Sequence, residues 1–181
     1  MTSPVYINEF SNLVESTKVK VDDLLKINDM LISTSKKGNK INIVGNGGSS
    51  AIASHFAVDL TKNAKIRAVN YNEYDLITCF SNDYGYEHWI EKAIEYYGDE
   101  GDLFIGISSS GKSENIINGC ISARKKNFSN IITLSGMEPD NPLTKLGDIN
   151  LWVDSHSYNY IENIHNFKKK HRGKPKNLQK R

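Results

Sequence analysis

The chain has 181 residues, 38% hydrophobic and 24% charged, fractions near those of ordinary globular domains. Its length buries a core without disulfides or a structural metal. No apolar run approaches the roughly 18 to 20 residues that span a bilayer, and the N-terminus lacks a basic stretch followed by an apolar one, so the expectation is a cytoplasmic protein with no membrane partner. The formal charge of +2 hides an asymmetry: residues 165–181 hold eight Lys and Arg and no acid, whereas residues 1–164 carry 15 Lys and Arg against 21 Asp and Glu.

In chain order, Val14, Val19, Val21, Leu24, Leu25, Ile27, Met30 and Leu31 recur at mostly helical spacing, which predicts one long or broken helix over about 5–35. Such a helix either packs on its own domain or meets a second copy. Lys36-Lys37-Gly38-Asn39 is a stop signal, and Ile41-Asn42-Ile43-Val44 reads as a first strand. Four more short apolar runs follow, at 66–69, 103–107, 130–134 and 149–153, with helical patterning over about 49–63, 74–97, 112–127 and 141–147. Strands alternating with helices predict an α/β fold, a three-layer α/β/α sandwich around a five-stranded parallel sheet with an N-terminal helical extension. The expected divisions are 1–37 for the extension, 38–166 for the sheet domain and 167–181 for a basic tail too poor in apolar residues to pack. Cys79 and Cys120 sit in apolar stretches without CxxC spacing and read as two buried, reduced thiols.

Two strand-to-helix turns carry the chemistry. Gly45-Asn46-Gly47-Gly48-Ser49-Ser50 follows the first strand, and Ser108-Ser109-Ser110-Gly111-Lys112-Ser113 follows the third. Both lie at carboxyl ends of strands, where open α/β sheets bind ligands. Glycines allow close backbone approach, the free amides of the following helix attract anions, and the hydroxyls add donors. A plain Gly/Ser turn is the competing reading of either loop alone. Two such loops at equivalent places point to a phosphate, and the absence of Gly-x-x-x-x-Gly-Lys-Ser/Thr and of a complete dinucleotide fingerprint favours a phosphosugar over a nucleotide.

His55 and Asp59 stand four residues apart on a predicted helix and so share a face. That spacing suits acid–base work or two ligands on one metal; a structural histidine beside a solvated aspartate has the same spacing.

Together with Ser54-His55-Phe56-Ala57, Asn82-Asp83-Tyr84-Gly85-Tyr86, Gly101-Asp102 and Ser155-His156-Ser157-Tyr158 with Glu162 and His165, these loops resemble the sedoheptulose-7-phosphate isomerases of the sugar isomerase (SIS) domain family, over about residues 10–166. The resemblance implies a homotetramer with active sites assembled between subunits. It also implies interconversion of sedoheptulose 7-phosphate and D-glycero-D-manno-heptose 7-phosphate for surface polysaccharide synthesis. By the same resemblance, Ser49, Ser108, Ser110 and Ser113 contact phosphate, Ser109 replaces a frequent threonine, and Asn46 and Asp83 hold sugar hydroxyls beside the Gly47-Gly48 backbone. Asp59 stands at the place of a glutamate that acts as base and, in some members, binds zinc with His55.

Glu162 stands where the family has Gln or Glu, a substrate or metal contact. The family's acid or metal-ligand histidine falls eight residues later, where this chain has Lys170, with His171 one place late and His165 five places early. The expectation is therefore a phosphosugar isomerase with Asp59 as base, His171 or His165 as acid, and a possible Zn2+ on His55, Asp59, Glu162 and His171. The alternative is a non-catalytic SIS module that binds a phosphosugar or a protein, of the replication-initiator-associating type. The tail lacks interleaved aromatics and any groove-reading motif, so nucleic acid is not an expected partner despite its charge.

Overall fold

The computed structural model describes residues 3–16 and 21–170. Two helices, α1 (Ser3–Ser16) and α2 (Val21–Lys36), precede β1 (Ile41–Gly45). α3 (Gly48–Val58) continues into a π-helical turn over Asp59–Asn63, then come β2 (Ala68–Val69), α4 (Tyr74–Tyr84), α5 (Trp89–Tyr97), β3 (Leu103–Ile107) and α6 (Glu114–Lys125). β4 (Asn130–Gly136), α7 (Leu143–Leu146), β5 (Ile149–Val153) and α8 (Tyr158–Lys170) complete the order.

The five strands form one parallel sheet in the order β2-β1-β3-β4-β5. Strand alternation sorts its residues between two layers. Ile41, Ile43, Leu103, Ile105, Ile107, Ile132 and Leu134 face α2 and α3, where Leu31, Ile52, Ala53 and Ala57 close one core. Val44, Phe104 and Ile131 face the other way, against Trp89, Ile90 and Ile94 of α5 and Ile116 and Cys120 of α6. A smaller cluster joins α8 to the sheet edge through Val153, Ile161 and Ile164, with Phe10, Leu13 and Val14 of α1 packed on it. Hydrogen bonds from Tyr6 to Asn159 and from Tyr160 to Glu9 hold α1 on α8 of its own chain.

Several expectations shift. The helix expected over 74–97 is two helices, because Gly85 takes φ +93° and ends α4 with its N–H on the Ser81 carbonyl. The second strand shrinks to two residues, since the Ile66 N–H bonds to the Leu60 carbonyl that closes the π turn. Cys79 is exposed, not buried, because α4 lies on the surface and buries none of its residues, whereas Cys120 is enclosed. α8 runs to Lys170; residues 171–181 of the basic tail lie outside the described residues. Among the described residues no helix is long and apolar enough to cross a membrane.

Candidate functional site

The chain leaves β1 toward β2 on one side and is joined by β3 on the other, which makes the crevice between β1 and β3 the point where strand order reverses. Ligands of open parallel sheets bind outside the carboxyl ends at such a point. Gly45 and Ile107, the last residues of β1 and β3, are register partners, so both Gly/Ser loops emerge side by side.

They line a cavity of about 200 Å³ whose walls are Asn46, Ser49, Ile107, Ser108, Ser109, Ser110, Ser113, Tyr158 and Glu162. Its volume is below the roughly 300–1,000 Å³ of drug-sized pockets, and its lining is mostly hydroxyl, amide and carboxylate. α3 begins at Gly48 behind Gly47, which takes φ +53°, and α6 begins at Glu114 behind Ser113. Both helices aim their first-turn amides at the cavity, and each such end carries a partial positive charge.

The second loop is tightly held. Gly111 takes φ +66°, and a Cβ there would overlap the Asn141 side chain. Ser108 and Ser113 share a hydroxyl–hydroxyl bond of 3.0 Å, and the Lys112 N–H donates to the Ser110 hydroxyl at 3.2 Å. The Ser109 backbone carbonyl accepts from the Gly136 N–H. By contrast the Ser109 hydroxyl is buried in the cavity wall with no hydrogen-bond partner among the described residues. A buried hydroxyl without a partner is uncommon, and here a ligand oxygen would satisfy it.

Asn46, Ser49, Ser108, Ser109, Ser110, Ser113 and Glu162 thus meet in one cavity, while the expected contacts Gly47 and Gly48 are exposed beside it and do not line it. Glu162 reaches it from α8, resting against Gly48 at the start of α3. Tyr158, in the first turn of α8, lines the mouth. Tyr158 belongs to the Ser155-His156-Ser157-Tyr158 motif, but no site role follows from the motif; its position one helical turn before Glu162 places it on the cavity side.

Other expected residues lie elsewhere. His55 and Asp59 do share a face, with His55 Nε2 3.6 Å from Asp59 Oδ2 and the Asn63 side-chain amide donating to Asp59 Oδ1. They sit seven and eleven residues past Gly48, which at about 1.5 Å per residue puts them roughly 10 and 16 Å along the axis from the cavity end. Neither lines it. Asp83 is exposed at the end of α4, accepting from the Asn82 side-chain amide, and is not in the cavity wall. His165 is also not in the cavity wall: it is 0% exposed, with Nε2 3.2 Å from the Ser135 backbone carbonyl of β4. Three residues beyond Glu162 leave a net rotation of about 60° around the helix, and on α8 that offset separates the cavity wall from the sheet. His171 lies outside the described residues.

Of the four residues expected to hold zinc, His55 and Asp59 lie together on α3 and the turn that follows it, Glu162 lines the cavity, and His171 lies outside the described residues. Among the described residues no three His, Cys, Asp or Glu side chains group as a metal would require, and a zinc site needs at least three protein ligands about 2.0–2.3 Å from the ion.

The SIS domain family profile matches residues 5–136. A phosphoheptose isomerase of Cytophaga hutchinsonii is 35% identical over 161 residues, covering 86% of this chain and 83% of the relative. Another, from Campylobacter jejuni, is 33% identical over 163 residues, covering 87% of each. Among solved structures, a phosphoheptose isomerase from Neisseria gonorrhoeae superposes with a TM-score of 0.85 at 27% identity, covering 92% of this chain and 91% of that one.

Proposed function

The chain belongs to the SIS domain family and, within it, to the phosphoheptose isomerases, and from that membership we propose that it interconverts sedoheptulose 7-phosphate and D-glycero-D-manno-heptose 7-phosphate through an enediol. The observation that carries this reading is one cavity holding both a hydroxyl-rich phosphate cradle and a carboxylate, Glu162. The phosphate binds at the serine loops, where helix amides and hydroxyls neutralise it. The sugar chain then runs past Asn46 toward Tyr158 and Glu162.

Aldose–ketose exchange needs one group that moves a proton between C1 and C2 and another that moves one between O1 and O2. Glu162 takes the oxygen role, accepting the O1 proton and returning it to O2. Asp59 takes the carbon role, delivered with His55 by a second copy of the chain laid over the cavity. A homotetramer in the cytoplasm fits this arrangement, and the exposed apolar side chains Val5, Ile7, Leu25 and Ile32 of α1 and α2 supply surface for it.

The test is turnover. Purified protein incubated with sedoheptulose 7-phosphate yields heptose 7-phosphate if the reading holds. Binding without turnover would establish the second reading, a non-catalytic SIS module, which the distance of His55 and Asp59 from the cavity favours.

A further inference from the structure

We infer that Tyr86 and Asn115 are positioning residues that lock the Asn46 side-chain amide so that it presents an N–H, not its carbonyl, to an oxygen of the bound sugar. The inference rests on the phosphosugar reading of the cavity and assigns the direction of one contact in it.

Asn46 and Asn115 form a reciprocal amide pair. Asn46 Nδ2 donates to Asn115 Oδ1 at 2.9 Å, and Asn115 Nδ2 donates to Asn46 Oδ1 at 2.9 Å. Such a pair has the same geometry if both amides flip, so it cannot by itself fix which atom faces the ligand. A third bond breaks the degeneracy. The Ile116 backbone N–H donates to Asn115 Oδ1 at 3.1 Å, and after a flip that N–H would meet an NH2 group. Asn115 is 2% exposed, so no water compensates for the mismatch.

Tyr86 completes the lock. Its hydroxyl donates to Asn46 Oδ1 at 3.1 Å, so the carbonyl of Asn46 already takes two donors and both its lone pairs are used. One Nδ2 proton is held by Asn115, and the other is free for the cavity that Asn46 lines. The turn that delivers Tyr86 depends on Gly85 at φ +93°, where a Cβ would also crowd the Glu87 carboxylate. Asn46 therefore offers a donor in a fixed direction, and the group it recognises is a hydroxyl or carbonyl oxygen of the sugar chain, beyond the phosphate.

The test compares two ligands and one spectroscopic signal in wild type, Tyr86→Phe and Asn115→Asp. Tyr86→Phe removes a single oxygen from an exposed ring. Asn115→Asp keeps both acceptor contacts and removes the donor to Asn46, and it serves as the second variant. The expected result is that Tyr86→Phe weakens sedoheptulose 7-phosphate about 2- to 10-fold, the range of one lost hydrogen bond, while inorganic phosphate binds as in wild type. The Asn46 side-chain amide resonance, identified by its absence in Asn46→Asp, moves in both variants without any ligand. Equal weakening of both ligands would show a merely structural role and overturn the inference. So would unchanged sugar binding in Tyr86→Phe, or an unmoved Asn46 resonance. If wild type binds phosphate and not the sugar phosphate, the phosphosugar reading fails, and with it the assigned contact, whatever the resonance does.

Discussion

The carboxylate of Glu162 occupies the space where a side chain on residue 48 would begin: a Cβ on Gly48 would lie 2.6 Å from Glu162 Oε1. The absence of a side chain at Gly48 thus lets α8 set an acid against the first turn of α3, where the helix dipole favours negative charge. Gly48 lies within α3 and needs no left-handed backbone, so Gly48→Ala folds normally and acts by pushing Glu162 aside. The expected outcome is a kcat reduced about 100-fold, the cost of roughly 1 Å of misplacement at a reacting group, with the thermal midpoint within about 2 °C of wild type. Steady-state kinetics and a thermal melt check it; an unaltered kcat would remove Glu162 from the proton-handling role.

Ser109 gives a prediction of opposite signs for stability and binding. Its hydroxyl is buried and lacks a partner within the described chain, so the ligand-free fold already bears the desolvation cost of that group. Ser109→Ala relieves it, and the unfolding free energy of the ligand-free protein stays level or rises by about 1 kcal/mol. The same change removes a charge-assisted bond to phosphate and weakens phosphosugar binding about 10-fold or more. Urea unfolding beside calorimetric titration measures both. A ligand-free protein that loses 1 kcal/mol or more on this substitution would show that the hydroxyl already has a structural partner.

The sheet was legible in the sequence because its central strands β1, β3 and β4 are short apolar runs, rich in β-branched residues and buried on both faces, and both loops were legible because glycines and serines cluster directly behind β1 and β3. What stayed hidden depends on helix register and on contacts between distant segments. His165 and Glu162 are three residues apart, and only the packing of Ile161 and Ile164 into the sheet edge decides which faces the cavity. Asn115 and Tyr86 act through Asn46 from 69 and 40 residues away, a relationship no local pattern encodes. The apolar run around Cys79 suggested burial, yet the bend at Gly85 leaves α4 on the surface.

That error makes the two thiols a direct check on the placement of α4. Cys120 faces the α5–α6 layer at 1% exposure, and burial pushes its thiol up to about 12, against a weak opposing pull from Arg124. Only a thiolate attacks a disulfide reagent. The native protein is therefore expected to react with a colorimetric thiol reagent at one cysteine near pH 8, and the denatured protein at two. Cys79→Ser abolishes the native reaction; a second rapid equivalent in the native state would contradict the packing of α6.

The strands that carry the cavity at their carboxyl ends are tied together at their amino ends by a buried ionic cluster. Asp102, 0% exposed, accepts from the Lys40 N–H at 2.9 Å, the Asp99 N–H at 3.0 Å and Asn42 Nδ2 at 3.1 Å, and pairs with Lys40 Nζ at 2.6 Å. Burial by itself raises the Asp102 carboxyl, but the bonds from Lys40, Asp99 and Asn42 outweigh it and hold the group below its ordinary value of 3.8. A carboxyl whose folded value is depressed contributes stability that is complete above the unfolded value and lost as pH falls through the lower folded one. Stability is thus expected to be flat from pH 7 to about 5 with respect to this group and to fall below about pH 4. Asp102→Asn leaves Lys40 with Asp99 alone and costs about 3 kcal/mol at pH 7. It also flattens the fall below pH 4, because the variant has no proton to take up at this position. Urea midpoints across that pH range measure both effects. Since β1 and β3 set the spacing of the two serine loops, Asp102→Asn is further expected to weaken phosphate binding even where the protein remains folded.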